Sequence, residues 1–127
     1  MLRLSIIIVS IKLIAIPVLS QTLDVKITEG FKLGNASLIM PHLAGEVELI
    51  LPEQSDVFSR DGATKQLESF FSGSKVNGFI VIHSGSSPGG AAYYIGTLST
   101  AKGEFRVYLL LEKKEHKIVE IRVEQDE

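Results

Sequence analysis

Ala91-Ala-Tyr-Tyr-Ile-Gly-Thr-Leu-Ser-Thr100, Glu104-Phe-Arg-Val-Tyr-Leu-Leu-Leu-Glu-Lys113 and Lys117-Ile-Val-Glu-Ile-Arg-Val-Glu124 follow one another with only Ala101-Lys-Gly103 and Lys114-Glu-His116 between them. These are runs of β-branched, aromatic and aliphatic residues separated by polar or glycine-bearing triplets, so they read as strands joined by hairpins. Connections this short allow only antiparallel neighbours. A further strand, Phe79 to Ser84, precedes them across the loop Gly85 to Gly90. In the third of these four strands Phe105, Val107, Leu109 and Leu111 share one face, which is predicted to be buried, and Arg106, Tyr108 and Leu110 share the other. In the last, Val119, Ile121 and Val123 face one way and Ile118, Glu120, Arg122 and Glu124 the other. Parity leaves open which of Tyr93 and Tyr94 points inward.

Upstream, the hydrophobic period changes. Leu23, Ile27 and Phe31 recur every fourth residue, as on one helical face, and Gly34 then offers a stop. Asn35 can cap a second short helix with Ala36, Ile39, Met40 and Leu43 inward, bent or shortened by Pro41 and ended by Gly45. Glu46 to Leu51 alternates and then runs apolar, as a half-buried strand does, and Pro52 to Phe58 reads as a loop. Ser59 can cap a third helix that buries Ala63, Leu67, Phe70 and Phe71 and closes at Ser72-Gly-Ser74. The predicted order is therefore α-α-β-α-β-β-β-β. This is an α+β layout with the helices packed on one face of a curved antiparallel sheet.

The beginning of the chain reads differently. Arg3 precedes an apolar stretch from Ile6 to Leu19, interrupted by Lys12, and Val18-Leu19-Ser20 has the small-residue ending that a signal peptidase accepts. A membrane-spanning helix needs about 20 apolar residues, and this stretch is shorter and charged. Residues 1–20 are thus expected to be a signal peptide and residues 21–127 the working domain, exported to a periplasmic or extracellular space. Membrane contact is expected only if that segment is retained.

The 127 residues carry 13 basic and 15 acidic side chains. Without residues 1–20, which hold Arg3 and Lys12, the balance is 11 against 15. That mild acidity disfavours nucleic acid, which is bound by clustered positive charge. The chain has no cysteine, which removes disulfides and acylation at the cleavage site, so the domain must stand on its hydrophobic core.

The order of elements resembles the nuclear transport factor 2-like, or cystatin-like, cone. The detailed match is to one bacterial family within it, the domain of unknown function 4783, found largely in exported proteins of Bacteroidota. The residues that carry the resemblance are Gly34-Asn35, Val47-Glu-Leu49, Gln66-Leu67 with Phe70-Phe71, Ile82-His-Ser-Gly-Ser-Ser87, Tyr94-Ile-Gly-Thr-Leu98, Gly103-Glu-Phe-Arg-Val-Tyr108 and Ile121-Arg-Val-Glu124. It covers nearly all of residues 22–125 and implies a fold and a compartment rather than a reaction. Isomerases of the wider fold group would, by the same resemblance, place a base at Leu51 and a tyrosine donor at Ile27. Both positions are apolar here, so that chemistry is not expected.

Other candidate chemistry is sparse. His83 with Tyr93 or Tyr94 is the one pairing from which an acid–base site can be imagined, and it is the alternative to a non-catalytic role. His42 lies near a helix end and His116 in a polar hairpin. No histidine, carboxylate or thiol spacing marks a metal site, and no cofactor is implied. Ser84-Gly-Ser-Ser-Pro-Gly-Gly90 lacks the lysine and the following helix of a phosphate cradle, and Asn35-Ala-Ser37 fits a glycosylation acceptor that already has a use as a helix cap. The expected role is a binding or assembly module. A small apolar ligand would lie in a cavity lined by Ile27, Phe31, Leu49, Phe70, Phe71 and His83. A homodimer would form through Tyr93, Ile95, Tyr108 and Leu110 on the outer face of the sheet.

Overall fold

The computed structural model describes residues 22–126; the leader expected at residues 1–20 lies outside the described residues. Helix α1 spans Val25–Leu33, with the Asp24 side chain accepting a hydrogen bond from the Lys26 N–H and Gly34 in the left-handed conformation (φ 63°) closing it. Ile27, Gly30 and Phe31 form its buried stripe. Asn35 then caps α2, Ala36–Ile39, by accepting from the Ser37 N–H. This helix is shorter than expected. Pro41 has no N–H to continue it, and Met40–His42 tighten into a 3₁₀ turn. Strand β1 begins at once, Leu43–Leu51, so Leu43 is a fully buried strand residue and Gly45 lies within the strand rather than ending a helix.

The segment read as a loop corrects the predicted order. After the turn at Pro52-Glu53 the chain forms β2, Gln54–Ser59, paired antiparallel with β1. All but one of its residues are exposed, so no alternation of apolar and polar residues could reveal it. Ser59 caps α3, Arg60–Ser74, by accepting from the Gly62 N–H, and α3 buries Ala63, Leu67 and Phe71. Strands β3 (Val76–Ser86), β4 (Ala92–Thr100), β5 (Gly103–Leu111) and β6 (Ile118–Gln125) complete the fold as successive antiparallel hairpins.

The sheet has six strands in the order β2-β1-β6-β5-β4-β3. It is not wholly antiparallel as expected, because β1 runs parallel to β6, with Leu49 opposite Ile121 and Ile50 opposite Arg122. β6 also departs from simple alternation. A register shift opposite Leu110 and Leu111 places Val119 between paired positions, so Ile118, Ile121 and Val123 are all buried.

One face of the sheet carries Leu49, Phe79, Tyr94, Leu98, Phe105, Val107, Leu109, Ile121 and Val123, all buried. Helices α1 and α3 pack on it. Phe31 stacks on Phe79 at 5.0 Å and meets Phe71 edge-on at 5.8 Å. On the other face the alternate residues of β4 and most of those of β5 stay half-exposed. Tyr94 is the inward tyrosine and Tyr93 the outward one.

Candidate functional site

Two surfaces stand out. The first is the outer face of the sheet, where the pairing register lines side chains into two rows that cross all six strands. One row reads Ser55, Ile50, Arg122, Tyr108, Ile95, His83; the next reads Val57, Glu48, Glu120, Leu110, Tyr93, Gly85. Tyr93, Ile95, Tyr108 and Leu110, named above as the expected dimer surface, form the two-by-two block where these rows cross β4 and β5. Ile95 lies opposite Tyr108 and Tyr93 opposite Leu110.

Charges flank this block on one side. Glu48 and Glu120 lie opposite each other on β1 and β6. Partial burial and the neighbouring Glu48 charge hold the Glu120 carboxyl above its usual range, against a smaller pull from Arg122. Arg122 lies 3.7 Å from Glu124, and Arg106 lies 3.3 Å from Asp126. The Nε atoms of both arginines are buried and have no hydrogen-bond partner among the described residues.

His83 sits on the same outer face, on the edge strand β3. Its Nε2 is 3.5 Å from the Tyr93 hydroxyl, with ring centroids 5.9 Å apart. Gly85 makes room for this pair, because a Cβ there would collide with the ring and hydroxyl of Tyr93. The pair is thus held by β3 and β4 at the sheet margin, and His83 is exposed. No carboxylate is hydrogen-bonded to it among the described residues.

The second surface is a cleft of about 530 Å³ between the C-terminal half of α3 and the β1–β2 and β4–β5 turns. Helix α3 forms one wall with Gln66, Ser69, Phe70 and Gly73, whose spacing puts them on a single helical face. Ser74 at the end of α3, the Leu51-to-Gln54 turn, Lys102 from the β4–β5 turn, Phe105 of β5 and Gln125 of β6 complete the lining. The cleft stays open because α3 turns small residues toward it: a Cβ on Gly73 would meet nothing within 4 Å. Phe70 and Phe105 meet edge-on at 5.4 Å, and the Gln54 side-chain amide donates to the Gln66 carbonyl across the opening. The Lys102 ammonium makes no ion pair among the described residues.

Of the six residues expected around a cavity, Phe70 lines this cleft. Ile27, Phe31, Leu49 and Phe71 are packed into the core beneath it. His83 is on the opposite face of the sheet. Gln54, Gln66, Lys102 and Gln125 were not anticipated, because they come from four separate segments. The one signal available was the α3 stripe of Gln66, Ser69, Phe70 and Gly73, which carries small and polar residues beside a buried face. No three histidine, aspartate or glutamate side chains gather as a metal site among the described residues.

These features define a cystatin-like, nuclear transport factor 2-like α+β protein. At the level of fold alone it is similar to an NTF2-like protein of unknown function from Cytophaga hutchinsonii (TM-score 0.57, 11% identity, 80% of this chain and 84% of that one). Residues 25–124 match the model of the family described as Domain of unknown function (DUF4783), and the chain belongs to that family. Solved relatives include a DUF4783 family protein from Bacteroides fragilis (33% identity, TM-score 0.75, 83% of this chain and 100% of that one). Another comes from Bacteroides ovatus (29% identity, TM-score 0.76, 84% and 98%). No curated protein matches.

Proposed function

We propose that this chain is an exported, non-catalytic assembly module whose mature domain forms a homodimer through the outer faces of two sheets. The observation that carries the reading is the pair of side-chain rows crossing all six strands, with Tyr93, Ile95, Tyr108 and Leu110 as an apolar block on the fourth and fifth of them. Six strands spaced by about 4.8 Å and running for roughly 30 Å offer on the order of 700 Å². That is close to the ~800 Å² per partner of a standard interface. The aromatic and aliphatic block on β5 and β4 supplies an apolar contact, and the charges of β1 and β6 lie beside it.

The charges suit a twofold contact. Glu48 and Glu120 disfavour each other within one copy, and Arg122 and Arg106 each have a buried Nε with no hydrogen-bond partner among the described residues. A second copy related by a twofold axis brings the acidic pair of one sheet toward the arginines of the other. Export rests on residues 1–20, and the test there is the mass of the protein isolated from an exporting host, which should lack those residues.

Association is tested by sedimentation velocity of the purified protein at micromolar concentrations. Dimer is expected for the native sequence and monomer for Tyr108→Glu or Leu110→Glu, with circular dichroism unchanged. A native protein that sediments as monomer throughout overturns the reading. An acid–base role for His83 and Tyr93 is the weaker alternative, since their pair lies on the open sheet margin and outside the cleft.

A further inference from the structure

We propose that the cleft beside α3 is a binding site for a small hydroxylated carboxylate, of the chemical class of the uronic acids, with Lys102 taking the carboxylate. The cleft shares no lining residue with the two outer rows, so this inference is independent of the dimer.

The lining selects the class. Gln54, Gln66 and Gln125 each present a carboxamide, which donates and accepts in one plane. Neighbouring hydroxyls on a ring also donate and accept, so the two sets of groups satisfy each other. The Gln54 amide donates to the Gln66 carbonyl across the opening, so the two carboxamides stand side by side at the site. A purely apolar ligand would strip water from these amides and return nothing. Lys102 is the only basic residue of the lining, and Glu53 stands at the same cleft. The two charges cancel over the lining as a whole, so a single ligand carboxylate is held only where it seats beside Lys102, and a phosphate or a polyanion finds no second cation. Phe70, half-buried beside Phe105, supplies an apolar surface for the C–H face of a sugar ring. A volume of about 530 Å³ lies within the 300–1,000 Å³ range of small-molecule sites.

The test is titration of the purified, isotope-labelled protein with galacturonate and glucuronate. It follows the side-chain amide signals of Gln54, Gln66 and Gln125 by nuclear magnetic resonance. Galactose serves as the neutral control and cyclohexanecarboxylate as the acid without hydroxyls. Saturable shifts of the three glutamine signals are expected with at least one uronate, with affinity about tenfold or more above galactose, the size of one charge-assisted hydrogen bond. Lys102→Gln should erase the difference between acid and neutral sugar while leaving the backbone spectrum unchanged. Gly73→Phe, which fills open space, should abolish both. Equal affinity for galactose overturns the role of Lys102. Equal affinity for cyclohexanecarboxylate overturns the role of the amides. Absence of saturable shifts at the glutamines with either uronate overturns the site.

Discussion

The ring of Phe79 on β3 occupies the space that a Cβ on Gly96 of β4 would take, and the Ile80 carbonyl closes the same space at 3.0 Å. Phe79 in turn is the ring on which Phe31 stacks, so this one glycine seats the α1 helix on the sheet. Gly96→Ala must displace a buried aromatic or bend the strand. Urea denaturation is expected to show a loss of about 1–3 kcal/mol, the usual cost of overpacking a core. An unchanged midpoint would mean that Phe79 has room to move.

Two helical glycines should respond in opposite directions. Gly30 of α1 is closed by the fully buried Ile39 of α2, with which a Cβ would collide. Gly73 of α3 faces open space. Both positions gain helix propensity on becoming alanine, by up to ~1 kcal/mol. Gly73→Ala should therefore raise the thermal midpoint, and Gly30→Ala should lower it, because the collision exceeds the gain. Scanning calorimetry of both variants under one condition decides the matter.

Lys75 ends α3 in the left-handed conformation at φ 55°, and its N–H still bonds the Phe71 carbonyl. A side chain there costs about 1–2 kcal/mol that glycine does not incur. Lys75→Gly is expected to stabilise the protein by up to ~1 kcal/mol, since glycine loses more backbone entropy on folding. Chemical denaturation measures the difference, and a loss of stability would indicate that the lysine side chain holds something of its own.

Two glutamates should give opposite pH responses. Slight desolvation raises the Glu112 carboxyl, but hydrogen bonds from the Lys117, Glu115 and Lys114 N–H groups outweigh it and hold the group below its ordinary 4.5. Its contribution is present above 4.5 and lost as pH falls through the lowered value. Glu120 is held above 4.5, so its contribution is full below 4.5 and lost as pH rises through the raised value. In dilute protein, Glu112→Gln should lower the thermal midpoint at pH 7 and matter little in strong acid. Glu120→Gln should raise the midpoint at pH 7 and also matter little in strong acid. Melting curves from pH 3 to 8 check both signs.

The elements whose side chains alternate or recur were legible in the sequence. The four-strand meander, the caps at Asn35 and Ser59 and the stop at Gly34 all follow from local pattern. β2 was not legible, because Gln54-Ser-Asp-Val-Phe-Ser59 has no buried face and is a strand only through its pairing with β1. The parallel contact between β1 and β6 was equally hidden, since residues 72 positions apart meet there and no local pattern encodes it. Parity put Tyr108 and Leu110 on the outer face but left open whether Tyr93 or Tyr94 joins them, which the pairing of β4 with β5 decides. The cleft was not legible, because its polar residues come from four segments that only folding brings together.

The same parallel pairing ties the beginning of the fold to its end. Leu49, already opposite Asp56 of β2, gains its β6 neighbour only when Ile121 is available, so the β1–β2 hairpin stays without a central partner until β6 has been made. Non-local pairing of this kind is slow to form. For a chain that is proposed to cross a membrane before it folds, the delay is useful. The segment that emerges first cannot lock into the finished sheet, and the domain remains threadable until its last strand has been delivered.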